Sequence, residues 1–295
     1  MAAALRILVS RHSAFYSPLI STLAAGFLAA EGLEGTYAVL PPGRHARHMI
    51  RDGEVDVVQA AVSSSWGPLE AGETDLPVHF AQINQRDGFF LAGRRTDPAF
   101  DWYKLQGATL LADHGGQPLA MLKYAARCQG VDWAKIQVID AGSPEEIDAA
   151  FRAGRGDYVH QQGPAPQQLE AEGIGHVVAS AGESMPPVAF SSLMASRAWL
   201  ATGDAAAFLR AYRKAREWVN QTPAERVAAG EASYFPGISA GALMAAVARY
   251  QRLACWGGGI EIARPLYEQA LDVFQAAGMI SRRHPYNEVV LDVHL

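Results

Sequence analysis

The sequence predicts an α/β protein of two lobes, each a mainly parallel sheet flanked by helices, with a central cleft. Short apolar runs alternate with helical segments along most of the chain, which is the pattern of parallel strands joined by helices. A second series of this kind interrupts the first between residues 94 and 189. Two lobes joined by two connections leave a cleft, and clefts between domains are where small ligands usually bind.

The first lobe opens with three predicted strands. Apolar runs at 5–9 and 36–40, and a third that ends at Gln59, alternate with helical segments. Such βαβαβ units bind ligands beyond the carboxyl ends of their strands. Two more strands are predicted at 79–83 and 88–92, and the polar, Pro-terminated segment after them is the predicted crossing to the second lobe.

The second lobe is predicted to occupy 94–189, with the first lobe formed by 1–93 and 190–295. Strands are expected at 108–112, 136–139, 158–160 and 175–179. Ser143, Pro144 and Glu146 have the spacing of a capped helix start. The return crossing follows at 187–194, and helical patterns dominate from there onward.

Composition excludes several classes of function. The 295 residues are 49% hydrophobic and 19% charged, which is typical of a globular protein and enough for two domains. The net charge is −5 and no long basic run occurs, so nucleic-acid binding is not expected. The two cysteines have no metal-ligand spacing, and neither a metal nor a cofactor is expected.

The sequence also gives an expectation for location. No run of about 18 uncharged apolar residues occurs, so membrane insertion is not expected. The first strand begins by Leu5, which leaves no room for an export leader. The chain as written is therefore expected in the cytoplasm, or in the periplasm if a leader has been removed.

The order of several short motifs resembles one family. These are Ala-Phe-Tyr-Ser-Pro-Leu at 14–19, Glu-Gly-Leu at 31–33, Gly-Glu-Val-Asp-Val at 53–57 and Gly-Gly-Gln-Pro at 115–118. They resemble the type II periplasmic substrate-binding proteins over roughly residues 5–280, in the branch shared by nitrate, sulfonate and taurine ABC-transporter binding proteins and the eukaryotic thiamine-pyrimidine synthases. The resemblance implies two lobes, a hinge of two crossover strands and a small ligand clamped between them.

The same resemblance argues against the synthase reaction. In those enzymes a lysine that holds pyridoxal phosphate ends the third strand, and a histidine four residues later is consumed. The matching positions here hold Gln59 and Ser63, and the segment 188–192 lacks the cysteine-rich run of those enzymes. A glutamine forms no Schiff base and a serine has no imidazole to give, so thiamine-pyrimidine synthesis is not expected.

Candidate binding residues of the first lobe follow its strands. After the first strand come His12, Ser13, Phe15 and Tyr16, whose aromatic rings are suited either to walling a cleft or to packing beneath the next helix. His12 is a candidate donor or general base, or a surface histidine. After the third and fourth strands come further hydroxyl, indole and amide groups: Ser63, Ser64, Trp66 and Asn84. The alternative for the serines is a turn that caps a helix.

Candidates of the second lobe lie at the start of a helix and after a strand. They are His114, Gly115, Gly116, Gln117 and Gln161. Glycines at a helix N-terminus let backbone N–H groups approach an anion closely, although a solvated loop is the alternative. None of the second-lobe candidates is a lysine or arginine, which favours a neutral, zwitterionic or carboxylated organic ligand with an aromatic or apolar portion.

Three functions remain open at this point. The leading one is a solute-binding protein that closes on a small organic ligand and delivers it to an ABC-transporter permease, with no catalytic residue. The rival is a cytoplasmic enzyme on the same fold, with decarboxylase or lyase chemistry on a small aromatic acid performed by His12, His114 or His160. The third is a cytoplasmic ligand sensor.

Overall fold

Two five-stranded sheets form the framework of the computed structural model, which describes residues 4–112 and 115–293. The first sheet has the order β2-β1-β3-β10-β4 and the second the order β7-β6-β8-β5-β9. Its strands are β1 (Ala4–Val9), β2 (Glu34–Val39), β3 (Val57–Ala60), β4 (Val78–Asn84) and β10 (Ser191–Ala195). Those of the second are β5 (Phe89–Gly93), β6 (Thr109–Leu111), β7 (Gln137–Ile139), β8 (Tyr158–Gln162) and β9 (His176–Ser180).

Helices flank both sheets, and most of those after β10 pack around the first. They are α1 (Ser17–Ala24), α2 (Phe27–Ala30), α3 (Ala46–Arg51), α4 (Trp66–Glu70), α5 (Gly116–Cys128), α6 (Pro144–Arg152), α7 (Ala165–Ala171), α8 (Arg197–Leu200), α9 (Gly203–Gln221), α10 (Ala224–Glu231), α11 (Ala240–Arg252), α12 (Arg264–Ala276) and α13 (Tyr286–Val289). The start of α6 is the predicted capping box, since Ser143 Oγ accepts from Glu146 N and Glu146 Oε2 accepts from Ser143 N. The predicted two-lobed α/β architecture is confirmed.

Each sheet is mainly parallel and contains one reversed strand. In the first sheet β10 runs antiparallel to both β3 and β4, and in the second β5 runs antiparallel to β8 and β9. Both reversed strands are the first strand that the chain forms after it passes from one sheet to the other. The carboxyl ends of β1, β3, β6 and β8 therefore remain aligned toward the space between the sheets.

The first crossing lies earlier than the sequence indicated. The strand at 89–93 pairs in the second sheet, so the chain crosses at 85–88 and not at the polar segment after residue 93. Asp87 within this crossing is fully enclosed and accepts a hydrogen bond from Phe89 N, and the residues beside it are buried or half-buried, so no exposed linker marks the crossing. The predicted lobe ranges stay a prediction, and this strand is where they differ from the sheets.

The two crossings pair with each other. Val188 N donates to Gln85 O at 2.9 Å and Phe190 N donates to Asn84 O at 3.0 Å. Arg86 Nη1 donates to Gly182 O at 3.0 Å. Two short, hydrogen-bonded segments side by side form a natural hinge for two rigid lobes.

Candidate ligand-binding cleft

Two cavities lie between the sheets and meet at one point. The first has a volume of about 450 Å³ and the second about 520 Å³. Both are lined by Ser10, Arg11 and Gln162. These volumes fall in the range of sites for small organic ligands. The arrangement is a cleft with two compartments that share one polar junction.

The first cavity brings together most of the predicted hydroxyl and glycine candidates. Tyr16, Ser63, Ser64, Gly116 and Gln117 all line it. Ser63 lies in the turn after β3, and its Oγ donates to Gln117 Oε1 at 2.8 Å, at the start of α5. This bond joins the two lobes across the cavity. The position of these residues fits ligand binding, which stays a prediction.

Gln59 organises the junction of the two cavities from the end of β3. Its Oε1 accepts from both Ser10 N, at 3.0 Å, and Ser10 Oγ, at 2.7 Å. Its Nε2 donates to Ala60 O at 3.2 Å. The residue that stands where the synthases have lysine thus fixes the loop after β1, next to Arg11.

The second cavity lies between the end of β8, the start of α6 and the loop after β1. His12 lines it, with its ring 4.4 Å from that of Phe235 and its Nδ1 3.0 Å from Tyr37 Oη. Partial burial lowers the pKa of His12. Gln161 also lines this cavity, and its Nε2 donates to Asp148 Oδ1 at 3.2 Å.

His160 lies in the wall of the second cavity and is 1% exposed. Its ring stacks on Phe89 with centroids 4.5 Å apart. Within 4–112 and 115–293, neither ring nitrogen has a hydrogen-bond partner. Burial, with a smaller contribution from the charge of Arg11, lowers the pKa of His160 to about 3, so the ring is neutral near pH 7.

Arg11 is the functional candidate that the sequence argument missed. It is half-buried, lines both cavities and places its guanidinium 5.6 Å from the centroid of the Phe89 ring. The available signal was its place directly after β1, where the strand-end rule predicts ligand contacts. Arg11 belongs to the first lobe, whereas the expectation of a cleft without lysine or arginine concerned the second lobe.

A comparison with known protein families identifies the family of this chain. A match to the family described as NMT1/THI5 like covers residues 15–226, which is more than half of the chain. The chain belongs to the NMT1/THI5-like family. The predicted resemblance to this branch of the two-lobed binding proteins is therefore confirmed.

The proteins to which this NMT1/THI5-like chain is similar include binding proteins and, in fold alone, an enzyme. The protein YtlA of Bacillus subtilis (strain 168), which carries the name of a binding protein, is 28% identical over 286 residues, 95% of this chain and 85% of YtlA. The alkanesulfonate-binding protein SsuA from Xanthomonas axonopodis pv. citri, bound to MOPS, superposes with a TM-score of 0.74 at 17% identity, covering 99% of each chain. The desulfurization enzyme DSZB superposes with a TM-score of 0.70 at 13% identity, covering 98% of this chain and 96% of DSZB.

Two aromatic residues predicted to contact the ligand lie in the core of this family member instead of the cleft. Phe15 is fully buried, and its ring lies 5.3 Å from Phe190 and 5.1 Å from Tyr250. Trp66 is fully buried as well, and its Nε1 donates to Tyr267 Oη at 3.1 Å. Large apolar rings that follow a strand gain more from packing under the next helix than from facing water, which is the alternative that the sequence left open for Phe15.

Two polar residues predicted to bind the ligand line neither cavity and instead form hydrogen bonds beside the cleft. Ser13 is buried, caps the turn that follows it and donates from Oγ to Gly163 O at 2.7 Å, a second bond between the lobes. Asn84 is buried at the hinge and donates from Nδ2 to Phe15 O at 2.7 Å. Both side chains satisfy backbone groups, as buried polar side chains usually do.

The two glycines at the start of α5 differ in whether they line a cavity. Gly116 lines the first cavity, whereas Gly115 is exposed, is the N-terminal cap of the helix and stays outside the lining. His114 lies outside the described residues. No group of three or more His, Cys, Asp or Glu side chains suited to a metal ion occurs within 4–112 and 115–293.

Arg47 is a second arginine at the first cavity. It is half-buried and lines the first cavity, while its guanidinium pairs with Glu73 at 3.1 Å. Over the same described part of the chain, no helix is both long and apolar enough to cross a bilayer.

Proposed function

We propose that this protein is a solute-binding protein that closes its two lobes around a small organic acid, carboxylated or zwitterionic. The observation that carries the proposal is the junction of the two cavities. There Arg11 and Ser10 from the first lobe face Gln162 at the end of β8 in the second. A guanidinium with neighbouring hydroxyl and amide groups is a strong recognition site for a carboxylate or sulfonate.

We expect closure to rest on hydrogen bonds that join the lobes on either side of the junction. Ser63 and Gln117 join the lobes beside the first cavity, and Ser13 and Gly163 join them beside the second. A ligand held at the junction touches both lobes and adds its own contacts to this state. It therefore shifts the population toward closure in proportion to its preference for the closed form.

The partner implied by this function is an ABC-transporter permease. Support comes from SsuA, named as an alkanesulfonate-binding protein, and from family membership. The periplasm is the compartment in which such a receptor acts, and a leader removed from the chain would reconcile this with the cytoplasmic expectation. Fractionation of cells that express the complete gene, followed by immunodetection, distinguishes the two compartments.

The test is a binding screen with the intact protein. Thermal shift and isothermal titration calorimetry are run against small carboxylates, sulfonates, amines and pyrimidines. We expect saturable stabilisation by an acid-bearing compound that is recovered unchanged by mass spectrometry. Stabilisation only by compounds without an acid group contradicts the ligand class, and consumption of the bound compound contradicts the binding function.

Enzymatic chemistry is the second candidate, because His12 and His160 line the same cavity and DSZB shows an enzyme on this fold. His160 suits it poorly, since an imidazole with a pKa near 3 is a weak base at neutral pH. His12 remains as the acid–base group in that mechanism. If the screen shows turnover, His12→Asn should abolish it while the substrate still binds.

A further inference from the structure

The two cavities differ in the sign of their charged side chains. Among the lining residues that the structure describes, the first cavity has Arg11 and Arg47 and no carboxylate. The second has Arg11 at one end and the carboxylates of Glu145 and Asp148 at the other. A ligand that extends from the junction into the second cavity thus meets positive charge first and negative charge beyond it.

The orientation of Gln161 adds a hydrogen-bonding requirement. An ionised carboxylate only accepts hydrogen bonds, so the bond to Asp148 fixes the Gln161 amide with Nε2 toward Asp148. Its Oε1 is then an acceptor that no other described residue satisfies, in a side chain that is 5% exposed. Leaving such an acceptor without a donor costs about 1–3 kcal/mol, so the site is suited to a ligand that brings N–H groups.

The negative charge at this end is not cancelled by its neighbours. Arg152 contacts Asp148, but it also contacts Glu172, so one guanidinium is shared between two carboxylates. The first turn of α6 favours anions through its dipole. Its capping box, however, already provides a carboxylate acceptor from Glu146. The Glu145 and Asp148 carboxylates therefore dominate the field in this part of the cavity.

We propose, resting on the binding function above, that the ligand is a zwitterion whose nitrogen end lies in the second cavity. Its amine or amino-substituted planar group donates to Gln161 Oε1 and to the carboxylates of Asp148 and Glu145, while its acid group lies at Arg11. The rings of Phe89 and Phe235, which also line this cavity, flank the apolar part that connects the two ends. His160 offers one further donor or acceptor.

The experiment compares matched compounds on matched variants by calorimetry. The zwitterions are 4-(aminomethyl)benzoate and 6-aminohexanoate, and their counterparts without the amine are 4-methylbenzoate and hexanoate. The variants are Glu145→Gln with Asp148→Asn, and separately Gln161→Leu. Glu225→Gln is the matched control, because Glu225 is an exposed carboxylate outside the lining of both cavities.

We expect the wild-type protein to bind at least one zwitterion about tenfold more tightly than its counterpart. The double variant and Gln161→Leu should remove this preference, while Glu225→Gln keeps it. Equal binding of zwitterion and counterpart overturns the inference and leaves the proposed function standing. Failure of all four compounds to bind, together with a negative result in the wider screen, overturns both.

Discussion

The first and second cavities are built from similar strand ends but differ in how fully their polar groups are satisfied. Beside the first cavity, Ser63 and Gln117 bond to each other across the lobes. Beside the second, Gln161 has one amide group bonded and the other without a partner among the described residues. Polar groups already paired within the protein hold the structure, whereas buried groups without a partner are where a ligand has most to add.

Two buried histidines show the same difference. His79 on β4 is bonded on both sides, with Nδ1 2.8 Å from Ser192 Oγ and Nε2 3.2 Å from Ser65 Oγ. His160 on β8 is as deeply buried and has neither bond. Burial lowers both pKa values to about 3. Equal pKa values therefore accompany different surroundings, a hydrogen-bonded position for His79 and a position without such bonds in the cavity wall for His160.

The largest effect on affinity is expected from the residue that the cavities share. Arg11→Gln should weaken binding of any acid-bearing ligand by about 2–3 kcal/mol, or roughly 30- to 150-fold, because a charged hydrogen-bond donor is lost from the junction. Calorimetry with the best compound of the screen measures it. Arg44→Gln is the control, since Arg44 is exposed and pairs with Glu54; equal losses in the two variants would contradict the assignment of Arg11.

Both histidines should contribute to acid sensitivity, and the effect of their replacement on stability at pH 7 should separate them. Because the folded pKa of His160 is below the ordinary value of about 6.5, the unfolded state binds protons more readily, and stability falls as pH drops from about 6.5 to 3. His160→Phe keeps the stacking on Phe89 and should reduce the loss of unfolding free energy between pH 7 and pH 5 by about 2 kcal/mol.

His79→Leu should reduce the acid sensitivity by a similar amount but should also lower stability at pH 7. The reason is that it leaves Ser65 and Ser192 without their shared partner. Urea denaturation at the two pH values measures both variants. A wild-type pH dependence in His160→Phe would show that this imidazole is protonated in the folded protein.

The two serine bonds that flank the cavities, from Ser13 to Gly163 and from Ser63 to Gln117, should respond differently to removal. Ser13→Ala leaves the buried Gly163 O and Phe15 N without their partner and should cost about 2 kcal/mol of unfolding free energy. Ser63→Ala removes a half-buried bond and should cost about 1 kcal/mol, seen mainly as a few-fold weaker affinity through a less stable closed state. Denaturation measures the unfolding free energy of both variants, and calorimetry measures their affinity. Equal losses of stability and of affinity in the two variants would contradict this difference between the two sides of the cleft.

The fold was predictable because its signals are local. The apolar runs of β1, β2 and β3, and the capping box at Ser143, are set by neighbouring residues and appear where expected. The membership of β5 in the second sheet is not local, since an apolar five-residue run fits either sheet. Its pairing with β8 and β9 decides the matter.

The lining of the cavities was predictable at strand ends but not where side-chain direction mattered. Ser63 and Gln117 follow from the strand-end rule and line the first cavity. Phe15 and Trp66 follow from the same rule, yet both turn into the core. The position of Arg11 in the cleft depends on Phe89, which is distant in sequence. The position of the carboxylates in the second cavity depends on how α6 packs against β8. Such relations have no signature within a short window of sequence.

The smallest effect on binding is expected from Trp66, the predicted stacking residue that the structure places in the core. Trp66→Phe removes the hydrogen bond to Tyr267 and should cost about 1 kcal/mol of unfolding free energy. Affinity for an acid-bearing ligand should stay within twofold of wild type, because the indole lines neither cavity. A tenfold loss of affinity at unchanged stability would mean that the ligand-bound cleft opens toward Trp66. In that case the first cavity, with its paired polar groups, would be the one that rearranges on binding.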